Sequence, residues 1–332
     1  MNKVLIAPAP LREIEPVYGP LLRAAGFELV FPRRVAQMTE AELLELLPGC
    51  VAALAGSEPY TPAVLAAAAA KGLRAVCRAG VGYDGVNVPA ATAYGVAVTI
   101  TPGTNQDAVA EHAFALILAL ARNVVIQDRL TREGKWQRRA NRPLRGTTLG
   151  VAGFGRTGKA VARRGLAFGM RVIAHDPQLT TPGADDLAGV PLVPFEELMR
   201  QSDVVSLHMP LMPGTERMVN AATLALMKPT AFLVNTARGG VVDEPALVDA
   251  LRAGRIAGAG LDVYDDEPLP ASSPFCGLDN VVLTAHTAGV DTQSRDDMAR
   301  AAAEAIVRLT RGDWPDGWVV NPEVRPAFET KS

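Results

Sequence analysis

TLGVAGFGRTG, residues Thr148–Gly158, reads as a buried strand that turns through three glycines into a helix, with the helical KAVARRGLAFG following at once. A GxGxxG alone is a weak signal, but between a strand and a helix it has the context that phosphate binding requires. Gly153 permits the tight turn, Gly155 lets a pyrophosphate approach the backbone, and Gly158 lets the helix pack against the strand. Unpaired N–H groups around Arg156 and Thr157, together with the positive end of the helix dipole, then face the phosphates. The next strand, Arg171–His175, runs into Asp176, 18 residues beyond Gly158. A carboxylate there accepts hydrogen bonds from ribose hydroxyls and repels a 2′-phosphate, which predicts NAD rather than NADP.

Outward from this turn, short β-branched runs alternate with helical patterns along the chain, the mark of a parallel α/β architecture. Before it, Lys3–Ala7, Glu28–Phe31, Val51–Ala55, Arg74–Arg78 and Val96–Ile100 are expected strands. Helices are expected over Thr39–Leu47 and Pro62–Lys71, with Thr39 and Thr61 as N-caps and Glu42 completing a capping box. A break follows Pro102-Gly103. From Asp107 to Arg122 the chain is apolar almost all round, which predicts a helix covered on every side, by its own core or by a second subunit. Polar, basic sequence (Thr131–Arg145) then leads to the second series, with strands at Val204–His208, Ala231–Asn235, Gly258–Asp262 and Val281–Thr284, and a last helix over Asp297–Arg311.

Composition narrows the partners. The 332 residues, 48% of them apolar, suffice for two cores, and the net charge of −2 is spread without a basic tract. No nucleic-acid or membrane partner is expected, and the longest apolar run, Ala113–Ala121, is well short of the ~20 residues that span a bilayer. Cys50, Cys77 and Cys276 are odd in number and far apart, which argues against a disulfide framework or a metal site and suits a cytoplasmic protein.

Ligands of open α/β sheets bind outside the carboxyl ends of strands. His208 and Pro210, Thr236 and Ala237 before Arg238, and Asp262 all stand at such ends. Among the four histidines, His112 lies in the apolar helix as a packed or interface residue, His175 ends a strand, and His208 is placed to touch a cofactor. His286 follows the last strand of the second series, a suitable place for a group that moves protons near neutral pH. Glu267, in an acidic loop, is the candidate partner that favours its imidazolium, and Arg238 offers a planar cationic fork for a carboxylate. Spacing does not show that these three converge.

Several segments resemble the D-isomer-specific 2-hydroxyacid dehydrogenase family: Gly153–Gly158 with Asp176, Leu207–Pro210, NTARGGVVD (Asn235–Asp243), Leu261–Pro268 and His286–Gly289, with RAGVGYDGVN (78–87) and TPGTNQDAVAE (101–111) earlier. The resemblance implies a Rossmann NAD-binding domain (103–286) inserted into a flavodoxin-like substrate domain (1–102 and 287–332), with a cleft between them that closes about hinges near 100–104 and 286–290. It implies Arg238 as the substrate clamp, Glu267 as the histidine's partner and His286 as proton donor and acceptor. Gly80, Val81, Gly82 and Arg238 would hold the substrate, Asp262 would orient the nicotinamide amide, and Gly289 would lie along the cofactor. Relatives are usually homodimers.

The implied reaction is hydride transfer between NAD and C2 of a small 2-hydroxy/2-oxo acid. Departures from the family narrow the acid. Val81 stands where phosphite-oxidising members place a lysine, and Gly56-Ser57 where phosphoglycerate-oxidising members commonly place an arginine, although Arg33 or Arg34 leaves a phosphate contact open. No appended regulatory domain follows before Ser332, and Glu267 is absent from formate-oxidising members. Glyoxylate or hydroxypyruvate is therefore favoured. D-3-phosphoglycerate dehydrogenase is the alternative, and an NAD-sensing protein-binding scaffold is the alternative of another class.

Overall fold

The computed structural model describes residues 2–33, 37–138, 140–179, 187 and 189–329. The chain divides into two compact units, Met1–Asn105 with Asp291–Ser332, and Gln106–Val290. Sequence reasoning sets the breaks at 102/103 and 286/287. The observed division lies slightly later because one helix opens at Gln106 and Asp291 caps another.

In the first unit, strands β1 (Asn2–Ile6), β2 (Phe27–Val30), β3 (Cys50–Ala55), β4 (Ala75–Arg78) and β5 (Ala97–Thr99) form a parallel sheet in the order β2-β1-β3-β4-β5. That order is the flavodoxin-like doubly wound arrangement. Parallel sheets need cover on both faces. Tyr18 and Leu22 of helix Glu15–Ala24, with Ala302 and Ile306 of helix Thr292–Thr310, bury one face. Leu43, Val64 and Leu65 of helices Glu40–Leu46 and Pro62–Ala69 bury the other. Each such leucine, isoleucine or valine contributes about 1.5–3 kcal/mol by leaving water. Thr39 and Glu42 form the expected capping box, and Thr61 caps the next helix. Asn321 ties the C-terminal segment to the sheet, accepting from the Val98 amide (2.8 Å) and donating to the Val96 carbonyl (2.9 Å).

In the second unit, β6 (Thr148–Ala152), β7 (Arg171–His175), β8 (Val204–Leu207), β9 (Phe232–Asn235), β10 (Gly258–Leu261) and β11 (Val281–Leu283) run parallel in the order β11-β10-β9-β8-β6-β7. Beyond β7, Leu192 pairs with Ala174 in a single parallel bridge. Counting that bridge as a vestigial strand, the order is 3-2-1-4-5-6-7, the 3-2-1-4-5-6 of dinucleotide-binding sheets with β11 added at the far edge. Leu198, Leu247 and Leu251 pack one face, and Phe114, Ile117 and Val161 the other.

One expected helix boundary changes, and one helix is new. The last helix begins at Thr292 instead of Asp297, because Asp291 and Ser294 form a capping box ahead of a polar first turn that carries no apolar period. Val124–Arg132 forms a helix that sequence reasoning did not single out. Within the single chain, helix Gln106–Ala121 is covered in part: Ala115 is exposed and Leu118 and Ala119 are half-buried, since the sheet and helix Arg156–Ala167 meet only one side of it. No single helix among the described residues is long and apolar enough to cross a membrane.

Candidate active site

At the switch point between β6 and β8, Gly153 turns with φ +88° and helix Arg156–Ala167 starts three residues later. A Cβ on Gly158 would lie 2.0 Å from the Gly153 carbonyl oxygen, so only glycine allows this helix so close to the loop. Asp176, at the end of β7, accepts the Phe154 amide through Oδ2 at 2.9 Å and the Gln178 amide through Oδ1 at 3.0 Å. The carboxylate is thereby fixed beside the glycine-rich turn.

These residues fit a dinucleotide. Gly155 has open space where a side chain would begin, with helix N–H groups behind it. At the ends of β8 and β9, His208 Nδ1 and Thr236 Oγ1 are buried without a hydrogen-bond partner among the described residues. Buried polar atoms are almost always paired, so two orphans at neighbouring strand ends mark places for ligand contacts. Burial pushes the His208 imidazole down to about 3, which keeps it neutral, and Ser206 Oγ holds its Nε2 at 2.8 Å. Pro210 is exposed two residues on.

The expected catalytic side chains come from three strand ends of this unit. After β9, the Asn235 amide group bridges its own turn: Oδ1 accepts from the Ala237 amide at 3.0 Å and Nδ2 donates to the Arg238 carbonyl at 2.9 Å. The turn presents Arg238, whose guanidinium also bonds the Ala237 carbonyl. A Cβ on Gly239 would sit 2.0 Å from the Tyr264 carbonyl carbon, so the Arg238 turn lies directly on the loop that carries Glu267. That loop is stapled by Tyr264, whose hydroxyl donates to the Leu261 (2.9 Å) and Thr284 (2.8 Å) carbonyls. Arg217 braces it from outside through Asp265 at 2.6 Å.

His286 Nδ1 and Glu267 Oε2 lie 2.6 Å apart, and Glu267 Oε1 accepts the Tyr264 amide at 3.0 Å. Partial burial raises the Glu267 carboxyl, but hydrogen bonds from His286 and Tyr264 and the charges of His286 and Arg238 outweigh it and lower the pKa. The structure therefore brings Arg238, Glu267 and His286 together. His286 itself has φ +52°, a left-handed conformation rare for a non-glycine residue and held by its surroundings. Its amide donates to the Asp262 carbonyl at 2.8 Å. The Asp262 carboxylate, fully buried, accepts the amides of Thr287 (2.9 Å) and Ala288 (2.8 Å) and the Thr284 hydroxyl (2.6 Å). Sequence reasoning assigned Asp262 to the nicotinamide amide and did not see this loop-anchoring set, nor the contact of His112 Nε2 with Thr284 Oγ1 at 2.9 Å. No local signal connects positions so far apart in the chain. Gly289 lies just past this turn.

In the first unit, Gly80, Val81 and Gly82 form a loop after β4. Arg78 Nε donates to the Gly82 carbonyl at 2.7 Å and the Thr101 amide to the Gly80 carbonyl at 3.0 Å. Gly80 is buried and Val81 exposed. Gly56 follows β3, its amide bonded to Glu58 Oε2 at 2.6 Å, and Arg33 is exposed after β2. Arg34 lies outside the described residues. Among the described residues no cluster of His, Cys, Asp or Glu is arranged to hold a metal ion.

The chain is also similar to known proteins. Residues 114–288 match the family model of the D-isomer specific 2-hydroxyacid dehydrogenase NAD binding domain. A glyoxylate reductase of Korarchaeum cryptofilum is 43% identical over 305 residues, 90% of this chain and 91% of the relative. A D-3-phosphoglycerate dehydrogenase of Archaeoglobus fulgidus is 39% identical over 87% of this chain but only 55% of its own length. The solved D-lactate dehydrogenase from Aquifex aeolicus, complexed with NAD and lactic acid, superposes with a TM-score of 0.82 at 28% identity, covering 96% of this chain and 99% of that one. By this family match and by relatives of this identity and coverage, the chain belongs to the D-isomer specific 2-hydroxyacid dehydrogenase family, NAD-dependent enzymes that interconvert 2-hydroxy and 2-oxo acids.

Proposed function

We propose that this enzyme reduces glyoxylate, and hydroxypyruvate beside it, with His286 as the proton donor. The hydrogen bond between His286 Nδ1 and Glu267 Oε2, with Arg238 close by, carries the reading. Bound NADH supplies the hydride to C2. With Nδ1–H committed to Glu267, Nε2 is the nitrogen that delivers a proton to the substrate oxygen and retrieves it in the reverse direction. The Glu267 carboxylate stabilises the charged imidazole before transfer and fixes its orientation. Arg238 pairs with the substrate carboxylate and polarises the carbonyl, a task suited to a planar, permanently charged fork. Gly155, Asp176, His208 and Thr236 hold the dinucleotide.

Similarity to curated glyoxylate reductases supports the choice of acid. The free cysteines, two of them buried, support a cytoplasmic setting, and the half-covered Leu118 and Ala119 support pairing of two copies along helix Gln106–Ala121. The test is a panel of glyoxylate, hydroxypyruvate, pyruvate and 3-phosphohydroxypyruvate with NADH and NADPH, followed at the nicotinamide absorbance. Glyoxylate and hydroxypyruvate should give the highest kcat/KM, and His286→Ala should lose about 100-fold or more in kcat while still binding NADH. A preference for 3-phosphohydroxypyruvate would transfer the assignment to phosphoglycerate oxidation, and a His286→Ala enzyme at the parental rate would remove the acid altogether.

A further inference from the structure

Three consecutive backbone amides, those of His286, Thr287 and Ala288, all donate to one residue, Asp262, through its carbonyl and both carboxylate oxygens. The left-handed turn at His286 is the conformation that lets all three reach it. A fully buried carboxylate is held in one orientation only if its remaining lone pairs are satisfied. Here the additional donor is the Thr284 hydroxyl at 2.6 Å, and behind Thr284 stands His112, its Nε2 2.9 Å from Thr284 Oγ1 and 3.5 Å from Asp262 Oδ1. His112 projects from the early turns of helix Gln106–Ala121, which packs against β10 and β11.

Proton counting gives this chain a direction. Thr284 has one hydroxyl proton, and its shortest contact commits that proton to Asp262. Thr284 Oγ1 is then an acceptor toward His112, so His112 carries its proton on Nε2 and donates. The series His112 → Thr284 → Asp262 → amides 286–288 runs from a rigid core helix to the turn that aims His286.

We propose that His112 is a positioning residue for the reaction: through Thr284 and Asp262 it fixes the turn at His286, and it touches neither substrate nor cofactor. The inference rests on the assignment of His286 as the proton donor. A misplacement of a reacting group by about 1 Å costs on the order of 100-fold in rate, so loss of the relay shows as a loss of kcat.

The test compares His112→Ala, His112→Gln, Thr284→Val and the double variant His112→Ala/Thr284→Val, assayed with glyoxylate and NADH alongside His286→Ala. A glutamine side chain offers an amide donor at similar reach. His112→Ala should lose about 10- to 100-fold in kcat, with the glyoxylate KM and the NADH dissociation constant within about twofold of the parent. His112→Gln should recover most of the loss, Thr284→Val should match His112→Ala, and the double variant should be no worse than either single, as expected of residues in one series. Parental kcat in His112→Ala, equal losses in His112→Ala and His112→Gln, or multiplying losses in the double variant would each overturn the relay. If His112→Ala does not fold, parental kcat in Thr284→Val overturns it equally. An inactive His286→Ala with parental His112→Ala refutes the relay alone, whereas an active His286→Ala removes the assignment on which it depends.

Discussion

His286 and Glu267 are joined by a 2.6 Å contact between Nδ1 and Oε2, on a carboxylate whose other oxygen is occupied by the Tyr264 amide. Glu267 therefore cannot rotate away without abandoning a backbone hydrogen bond, and the imidazole is held at Nδ1, which leaves Nε2 for the proposed proton transfer. Two positions in different loops have become one hydrogen-bonded pair.

Replacing Glu267 by Gln keeps the shape and removes the charge. Glyoxylate reduction at neutral pH should fall about 100-fold in kcat/KM, because nothing then favours the protonated imidazole. The variant also tests linkage. Partial burial raises the Glu267 carboxyl and its partners more than compensate, so the folded-state pKa lies below the ordinary value of 4.5. The ionised pair thus adds stability that is present above that value and lost as pH falls through the lowered one. Denaturant midpoints measured from neutral pH to pH 3 should decline less steeply in Glu267→Gln than in the parent. Parallel profiles would show that the pair contributes nothing to folding.

The strand and turn of Thr148–Gly158 were legible because five consecutive buried residues, a positive-φ glycine and a helix start fall within eleven positions. Thr39, Glu42 and Thr61 were legible for the same reason, since capping is a local interaction. His286 and Glu267 were nominated by chemistry and resemblance, but their contact spans 19 residues and depends on how two loops leave neighbouring strands. The His112–Thr284 contact spans 172 residues, and its histidine sits in an apolar run that reads as core. The third edge strand, reduced to the Leu192 bridge, leaves no strand-length pattern to find. Long-range polar contacts are set by topology, and only the part of topology encoded in local periodicity was open to reading.

We propose that preference for NAD over NADP rests on Asp176. Its carboxylate is held by the Phe154 and Gln178 amides at the edge of the glycine-rich turn. Asp176→Ala should weaken NADH binding and relieve the repulsion of a 2′-phosphate, raising the ratio of NADPH to NADH kcat/KM by about 10-fold or more. Steady-state kinetics with both cofactors decides this, and an unchanged ratio would relocate the selectivity.

Gly155 and Gly158 separate folding from binding within one turn. Gly155→Ala adds a methyl where nothing lies within 4 Å and where φ is an ordinary −75°, so the unfolding midpoint should stay within about 2 °C. The same methyl occupies the approach to the helix N-terminus, and NADH affinity should fall about 10-fold or more. Gly158→Ala drives a methyl into the Gly153 carbonyl and should cost about 1–3 kcal/mol in stability. Calorimetry with and without NADH distinguishes the two. A Gly155→Ala protein that binds NADH like the parent would place the pyrophosphate elsewhere.

Asn321 tests how the C-terminal segment is held to the first unit. Its side chain is almost fully buried, accepting from the Val98 amide and donating to the Val96 carbonyl and the Thr92 hydroxyl. Beside it the Ile100 amide bonds the Trp318 carbonyl (2.9 Å) and the Val320 amide the Val98 carbonyl (2.8 Å), so the amide group completes a polar seam along β5. Asn321→Ala leaves a backbone donor and a backbone acceptor buried without partners, and should cost about 2–4 kcal/mol. Asn321→Asp keeps the acceptor but buries a charge facing the Val96 carbonyl, and should be at least as damaging at neutral pH. Trp314 and Trp318 pack in the same core and report its loss, so urea unfolding followed by tryptophan fluorescence measures both. Midpoints unchanged in both variants would mean that apolar packing alone holds the segment, with the three hydrogen bonds adding nothing.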